Sequence, residues 1–574
     1  MNSELHPIDG IVILVYLAGI MTMGIWVSRR VKNISDFLMP RRFGKFMMAM
    51  HAFGTGTASD QAVLVAAATF RSGLSGIWYQ WLWLFSTPFY WLIAPIMRRF
   101  RAVTTADVLT LRFNHSVAVL FAIVGIIGTS VKIGLLLKGS GALIDSGTGG
   151  FVDANLAIIV MTVLFVVYGA AGGLGAAILT DFIQGLLTIL FSIMLLPFVL
   201  SAVGGMEGIR ATINDPAMLS LVAPGQIGVF FIVMISLQTL VGIIAQPHIM
   251  GVCGAGRTEM DVRFGKMAGN LIKRFCTVAW CLTGIAAVAW YMNQGVEIAS
   301  IHPDSVYGNI AREFLPRISP GLLGIFMSAL LAGVMSSCDS FMIAAAGLFT
   351  ENIYRPYYPG RSTKHYLWIA RIAGVVIVVG GVVFAFWISS VVEGLTIWLR
   401  IAPMMGISIW IALFWRRITV AGAWAATFTG FGVWFITNQT IFISALGSLP
   451  GAEALNFVVR QGSSPAQVYE PWKILFYTLA AALAAVVVSL ATKPVNRNKV
   501  DRFHDLMRTP VGPNEEITEP CRLPPGVEPA QRSYLVRRFG FEIIRPSATS
   551  VIGFLVGWVA VGFLVGGFFW FVKG

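Results

Sequence analysis

The sequence predicts an all-α polytopic membrane protein with about fourteen transmembrane helices. Of its 574 residues, 56% are hydrophobic and only 12% are charged, which is about half the charged fraction of a soluble domain. Segments typical of bilayer spans, which need about 20 apolar residues each, recur along the chain. Eight of them contain no Asp, Glu, Lys or Arg, namely residues 72–97, 154–180, 182–206, 216–256, 275–296, 372–392, 418–452 and 546–572. This composition excludes a soluble enzyme and a disordered scaffold.

The apolar segments and the charges together place the helices. We expect spans near residues 9–28, 46–70, 75–97, 116–138, 154–170, 176–203, 226–247, 275–292, 319–348, 372–389, 394–415, 418–445, 474–492 and 547–572. If the N-terminus lies outside, most Lys and Arg fall in cytoplasmic loops, including residues 29–45, 98–112, 257–274, 355–371 and 416–417. This asymmetry is the positive-inside pattern. It predicts that both termini lie outside, and that the net charge of +14 reflects topology rather than nucleic-acid binding.

The remaining segments carry no sign of catalysis. The first span lacks the basic start and cleavage site of a signal peptide, so we expect a retained helix. Residues 493–545 hold ten basic residues, seven acidic residues and seven prolines, which predicts a cytoplasmic linker. The five cysteines form no CxxC pair or zinc-type cluster, so we expect free thiols. Walker A, GxSxG and HExxH sequences are absent, and we predict a protein that is not an enzyme and has no organic cofactor.

The second span is interrupted by small and polar residues. Residues 54–59 read GTGTAS, and Asp60 and Gln61 follow at once. Non-helical backbone is tolerated in a bilayer where it lines a cavity, and there it offers carbonyls to ions and solutes. A small-residue face for helix packing is the alternative, but it does not explain the adjacent Asp and Gln. We therefore predict a broken helix that lines a binding site.

The ninth span carries hydroxyl groups beside a carboxylate. Its polar face is spaced i, i+3, i+4 and i+7 and is flanked by Asp339; it consists of Gly333, Ser336, Ser337 and Ser340. Oxygen ligands of this kind suit a small hard cation, although serines alone often bond to carbonyls of their own helix.

Asp181 opens the sixth span and is a further acidic residue at membrane depth. Such residues are usually functional. An internal ion pair, for example with Arg400, is the alternative.

Lys132 lies about fourteen residues into the fourth span, or roughly 21 Å at 1.5 Å per residue. A lysine at that depth costs several kcal/mol unless it is paired or faces water. Two partners remain open, namely Asp60 in the second span and the negative end of a solute.

Three stretches of the chain form recognisable signatures, namely SDFLMPRRFGKFMMAM at 35–50, YGAAGGLGAAILTDFIQ at 168–184 and SALLAGVMSSCDSFMIAAAGLFTENIY at 328–354. They resemble signatures of the solute:sodium symporter family, which includes carriers of proline, pantothenate, acetate, sialic acid and sugars. The resemblance implies a LeuT-like fold, with two inverted five-helix repeats in a core of residues 35–417. It also implies an extra helix in residues 1–34, two further helices in 418–492, the linker at 493–545 and a last helix in 546–574.

The resemblance also implies the site. A first sodium ion would be bound by carbonyls of the broken span and by the ninth span, at Gly54, Thr57, Gly333, Ser336 and Ser337. A second, present in some members, would use Asp181, Asp339 and Ser340, so one or two ions remain open. The solute would contact Gln61, Gln80 and Lys132, with Asp60 beside them.

Short motifs indicate which class of solute the protein carries. AQPHIM at 245–250 and TASD at 57–60 resemble the proline, pantothenate and acetate carriers. The seventh span, LQTLVGIIAQPH, lacks the aromatic gate that is usual in sugar carriers, and Thr239 and Ile243 replace two aromatics of the proline carriers. We predict a sodium-coupled importer of a small solute, with a carboxylate-bearing solute favoured and a sugar or other neutral solute as the alternative.

Two other classes share features with this prediction. A channel could have the same helix count, and some family members act as sensors, for which residues 493–545 could bind a partner. In each case we expect a multi-pass protein of the plasma membrane, such as a bacterial inner membrane, whose partners are lipid, sodium and a small solute.

Overall fold

The computed structural model describes residues 6–28, 38–39, 41–223, 227–460, 466–512, 515, 517, 519–531 and 533–573. Part of the signature stretch at 35–50, namely residues 35–37 and 40, lies outside the described residues. So do several side chains between residues 168 and 176.

Nearly all secondary structure in the described residues is helical. The α-helices are α1 (Pro7–Ser28), α2 (Lys45–Gly54), α3 (Ser59–Ser72), α4 (Trp78–Trp81), α5 (Tyr90–Arg99), α6 (Thr105–Arg112), α7 (His115–Thr148), α8 (Ala154–Met194), α9 (Leu196–Ala202), α10 (Gly205–Thr212), α11 (Val229–Gly242), α12 (Pro247–Ala255), α13 (Glu259–Asn293), α14 (Val306–Ile318), α15 (Leu322–Gly347), α16 (Arg355–Tyr357), α17 (Thr363–Trp387), α18 (Val391–Phe414), α19 (Val420–Ile436), α20 (Thr440–Gly447), α21 (Glu470–Ala491), α22 (Arg497–Arg508) and α23 (Ala548–Lys573). Two short antiparallel pairs join β1 (Val458–Val459) to β2 (Gln467–Val468) and β3 (Tyr534–Arg538) to β4 (Phe541–Ile544).

The predicted fold class is confirmed. Among the described residues, eight helices are long and apolar enough to cross a membrane, or ten when each of two bent pairs counts as one span. Shorter apolar helices cover Pro7–Met23 and Ala154–Val167. The broken second span and the third span, which consists of short helical segments from Gly73 to Arg99, fall outside this count. The total of fourteen spans therefore stays a prediction.

Two spans are broken near the middle of the bundle. The predicted break in the second span lies between α2 and α3, where residues 55–58 leave the helix. The seventh span bends by 62° between α11 and α12. There Gln246 is extended and Pro247 begins α12, a position where a missing N–H costs nothing. The sequence predicts one uninterrupted helix at 226–247, and the bend corrects that prediction.

The two halves of α8 meet at Gly173, where φ is +61°. This left-handed backbone suits glycine, and it separates the predicted fifth and sixth spans. The bundle closes around the broken segments because α15 packs along α8, α2 and α3 pack against α13, and α7 packs against α17.

Helix α13 begins sixteen residues before the predicted span. The sequence analysis assigned residues 257–274 to a basic loop and started the helix at 275, whereas α13 is continuous from Glu259 to Asn293. Lys266, Lys273 and Arg274 are buried within it. These three cations are therefore part of the bundle interior and do not belong to a loop surface.

The region predicted as a linker contains α22 and the β3–β4 hairpin. Phe503 of α22 packs on Phe100, with ring centroids 4.9 Å apart. In the hairpin, Glu542 pairs with Arg416 at 3.3 Å and with Arg508 at 3.2 Å. These contacts fold the segment onto the ends of the membrane helices despite its prolines. All five cysteines are free and buried, as expected.

Candidate functional site

The broken second span lies directly against α15. The Ser337 hydroxyl donates a hydrogen bond of 2.8 Å to the carbonyl oxygen of Gly54, the last residue of α2. A Cβ on Gly54 would come within 2.7 Å of the Ser336 Oγ. A Cβ on Gly333 would lie 3.5 Å from the Thr57 carbonyl oxygen. The structure thus brings the five residues of the predicted first sodium site together, because the two glycines let the helices approach closely.

Asp181 lies beside this group and is fully buried. Its Oδ1 accepts a 2.5 Å hydrogen bond from the Ser336 hydroxyl, and its Oδ2 lies 2.5 Å from His51 Nδ1. Thr55 links the same cluster to Ser340, with its Oγ1 3.3 Å from the Ser340 Oγ. The cluster therefore joins α2, α8 and α15. His51 is a member that the sequence analysis missed.

Asp339 and Arg400, which the sequence analysis connected with Asp181, lie away from this cluster. The Asp339 carboxylate lies against Gly169 in the first half of α8, before the kink, whereas Asp181 lies in the second half. Arg400, the alternative partner for Asp181, pairs with Glu470 at 3.2 Å. Arg400 is therefore not the partner of Asp181. The basic residue next to Asp181 is His51, so an internal ion pair for Asp181 stays a prediction.

A polar cavity opens next to the broken segment. Its water-accessible volume is about 40 Å³, which is room for a few water molecules. Lys132 and Gln61 line it, and the Lys132 Nζ donates to the Asp60 carboxylate at 3.0 Å. The Gln61 amide donates to the carbonyl of Gly56, so its carboxamide is fixed at the unwound backbone. Three of the four predicted solute residues are therefore at or beside this cavity.

The comparisons with known proteins decide the family. Residues 37–430 match the profile of the Sodium:solute symporter family, which is more than half of the chain. The chain belongs to this family.

Relatives of this symporter include the osmoregulated proline transporter OpuE of Bacillus subtilis, which is 26% identical over 76% of this chain and 90% of its own length. The sodium/pantothenate symporter of Haemophilus influenzae is 22% identical, over 74% and 90% of the two chains. A solved Na+-coupled sialic acid symporter aligns with a TM-score of 0.67 at 16% identity, covering 85% of this chain and 99% of that one. The likeness to the solved structure shows that the fold is LeuT-like.

Membership of the family identifies the molecule as a multi-pass, sodium-coupled symporter that imports a small organic solute. Its residues can therefore be considered in terms of ion and solute binding.

One face of α13 adds cations to the cavity of the symporter. Lys266, Lys273 and Arg274 line it together with Asn270. The Lys273 ammonium donates to the Gly56 carbonyl in the unwound segment. Arg274 Nη1 donates to the Gln80 carbonyl oxygen at 2.7 Å. Gln80 itself is buried behind this contact and is not among the lining residues, so its predicted role as a solute contact stays a prediction.

Sequence reasoning missed this face although a signal for it exists. Lys266, Asn270 and Lys273 are spaced i, i+4 and i+7, which places them on one side of a helix. They were counted with the loop because basic residues next to an apolar segment usually mark its cytoplasmic end. His248 was also missed; it lines the cavity from α12 and packs on Phe341, with ring centroids 4.8 Å apart.

Proposed function

We propose that this symporter imports a small carboxylate-bearing solute together with one or two sodium ions, by alternating access. The observation that carries the proposal is Lys132, a buried cation in the cavity at the unwound backbone. The cavity lies between two broken spans, which is the arrangement in which such transporters bind ions and solutes.

The first sodium ion is assigned to the group at the end of α2. It offers the carbonyl oxygens of Gly54 and Thr57, the backbone of Gly333 and the hydroxyls of Ser336 and Ser337. Hydroxyl and carbonyl oxygens are suitable ligands for a hard monovalent cation, and the 2.8 Å contact between Ser337 and Gly54 supports their convergence.

The second sodium ion is assigned to Asp181, with Ser340 nearby through Thr55. The hydrogen bonds of Asp181 to Ser336 and His51 support a carboxylate held in place at this depth. Asp339 is kept as a ligand candidate, although its contact with Gly169 gives it less support.

The solute carboxylate is assigned to Lys132. In the structure this ammonium is paired with Asp60 at 3.0 Å and lies 5.0 Å from the Trp398 ring. A solute carboxylate would replace Asp60 as its partner during the cycle, while Gln61 would bind a further polar group of the solute. The proline and pantothenate symporters among the relatives carry solutes with a carboxylate, which agrees with this assignment.

The location follows from the same proposal. A symporter of this kind works in the plasma membrane, and we assign both termini to the outer side, with α22 and the hairpin in the cytoplasm.

Uptake into proteoliposomes tests the proposal. Accumulation of a radiolabelled carboxylate should require an inward sodium gradient and should stop when potassium replaces sodium on both sides. Among competitors, an acid should inhibit far better than its amide, and Lys132→Gln should remove most of this difference. Sodium-independent uptake would contradict the coupling, and equal inhibition by acid and amide would contradict the carboxylate.

A further inference from the structure

The cavity wall formed by α13 is strongly cationic. Lys266, Lys273 and Arg274 are 3%, 7% and 1% exposed, and all three line the cavity together with Lys132. Three of these four cations come from a single helix, and none of the lining residues in the described part of the chain is acidic.

Neutral groups hold the three α13 cations. Lys266 lies 5.2 Å from the ring of Tyr90, and Lys273 lies 5.9 Å from the ring of Trp83. Arg274 lies 5.6 Å from the same Trp83 ring. Aromatic faces and backbone carbonyls stabilise a cation on one side, but they do not neutralise its charge.

Carboxylates near the cavity do not balance these charges. Asp60 is the acidic group at the cavity edge, and its Oδ2 is 3.0 Å from Lys132. Within the described residues, no ion pair joins Lys266, Lys273 or Arg274 to an Asp or Glu. With all four cations protonated, these groups and Asp60 sum to an excess of three positive charges. Arg274 keeps its charge because a guanidinium does not lose its proton, whereas a buried lysine can.

A counter-charge in the cavity would hold the buried ammonium groups in their charged form and stabilise the guanidinium of Arg274. Burying one ion without a partner costs several kcal/mol, and guanidinium cannot avoid this cost by losing its proton. A neutral or zwitterionic solute brings no net charge, and a monocarboxylate would leave two of the three excess charges unbalanced. A solute with two or more acidic groups removes most of the excess.

We propose that the solute is a small organic anion carrying at least two negative charges, bound between Lys132 and the cationic face of α13. This inference rests on the proposed function, because it names the class of carboxylate that the same cavity accepts. The aromatic rings of Trp83, Tyr90 and Trp398 between the cations provide apolar surface for a short carbon skeleton.

Binding to the full-length protein in lipid nanodiscs tests the inference without knowledge of the natural solute. Thermal unfolding is followed with butyrate, succinate, citrate and succinamide at equal ionic strength, in sodium and in potassium. Succinate or citrate should stabilise the protein in sodium, with a dissociation constant at least tenfold lower than that of butyrate. Succinamide should give no shift.

Substitutions in α13 test whether the stabilisation by succinate or citrate depends on this helix. Lys273→Gln and Lys266→Gln should each weaken succinate or citrate binding about tenfold while changing butyrate binding little, and Lys273→Arg should retain it. Lys473→Gln is the matched control, because Lys473 is a buried lysine of α21 near Glu470, with 3.6 Å between the charged atoms. This control should bind like the parent protein.

The outcomes separate the two proposals. Sodium-dependent binding of butyrate with no gain for succinate or citrate would overturn the dianion and leave the proposed function standing. If chloride or sulfate gave the whole stabilisation and no organic acid added to it, the dianion would again be overturned. If no carboxylate bound in sodium but a neutral solute did, both proposals would fail.

Discussion

At the scale of single residues, the proposed sodium site depends on side chains that bond between helices. Ser328 of α15 bonds within its own helix, to the carbonyl of Gly324 at 2.8 Å. Ser337 instead donates to Gly54 across the helix interface. This difference separates a packing serine from a candidate ligand.

Ser337→Ala should therefore raise the sodium concentration for half-maximal uptake. A hydroxyl bound to a charged group contributes about 1.5–3 kcal/mol, so we expect an increase of about tenfold or more. Ser328→Ala on the same helix is the control and should leave sodium activation unchanged. An unchanged sodium dependence in Ser337→Ala would remove this residue from the site.

Asp181 allows a separate test of the number of ions. If it binds a second sodium ion, Asp181→Asn should reduce the Hill coefficient for sodium from above one to about one, while expression stays intact. Asp304→Asn is a matched control, because Asp304 is a buried carboxylate that accepts from the Val391 amide at 3.1 Å. A Hill coefficient that is the same in the Asp181 variant and the parent would argue for one ion only.

At the scale of elements, the sequence predicted the broken second span but not the bend in the seventh or the start of α13. The second span reveals itself because six small or polar residues interrupt an apolar run. The seventh is apolar up to Gln246 and Pro247, and its break depends on one proline. The sequence predicts a loop at the start of α13 because Lys266, Lys273 and Arg274 gain their partners, such as Gly56 and Trp83, from distant segments of the chain.

Helix α22, outside the membrane, is a further element that the sequence did not predict. Its charges and the prolines on either side of it resemble those of a linker, yet Phe503 and His504 are buried against the helix ends. Burial, together with the nearby guanidinium groups of Arg416 and Arg112, lowers the pKa of His504 to about 2. The docked helix therefore holds this imidazole in its neutral form.

The docking of α22 should weaken in acid. An imidazole released to solvent binds a proton below about pH 6.5, whereas the docked one does not, so docking loses stability as the pH falls below that value. At pH 5.5 the loss is about 1.4 kcal/mol. Hydrogen exchange, corrected for the intrinsic rate, should show about tenfold lower protection of residues 497–508 than at pH 7.5.

His504→Phe is the control for this effect, because it keeps a buried ring that cannot take up a proton. Its protection should be independent of pH over the same range. An equal loss of protection in the parent and in this variant would assign the pH dependence to other groups, such as the nearby Asp505.

At the scale of the whole molecule, composition and short motifs were sufficient for the class, the family and the positions of most spans. Each of these depends on local sequence, such as the apolar length of a span or the signature around Ser336 and Ser337. The charge of the cavity could not be predicted in the same way. This charge arises because α7, α13 and the unwound segment meet in space. No single segment of the sequence reveals the net charge of the cavity.

If the cationic cavity takes the proposed dianion, the charge of the solute also determines how the transport cycle responds to voltage. A solute with two negative charges cancels two sodium ions, so a cycle with that ratio moves no net charge and gains nothing from the membrane potential. Each uncompensated charge would contribute about 2.3 kcal/mol per 100 mV. Two sodium ions per dianion would thus make uptake electrically silent and driven by the sodium concentration gradient alone, whereas a monocarboxylate carried with the same two ions would produce an inward current.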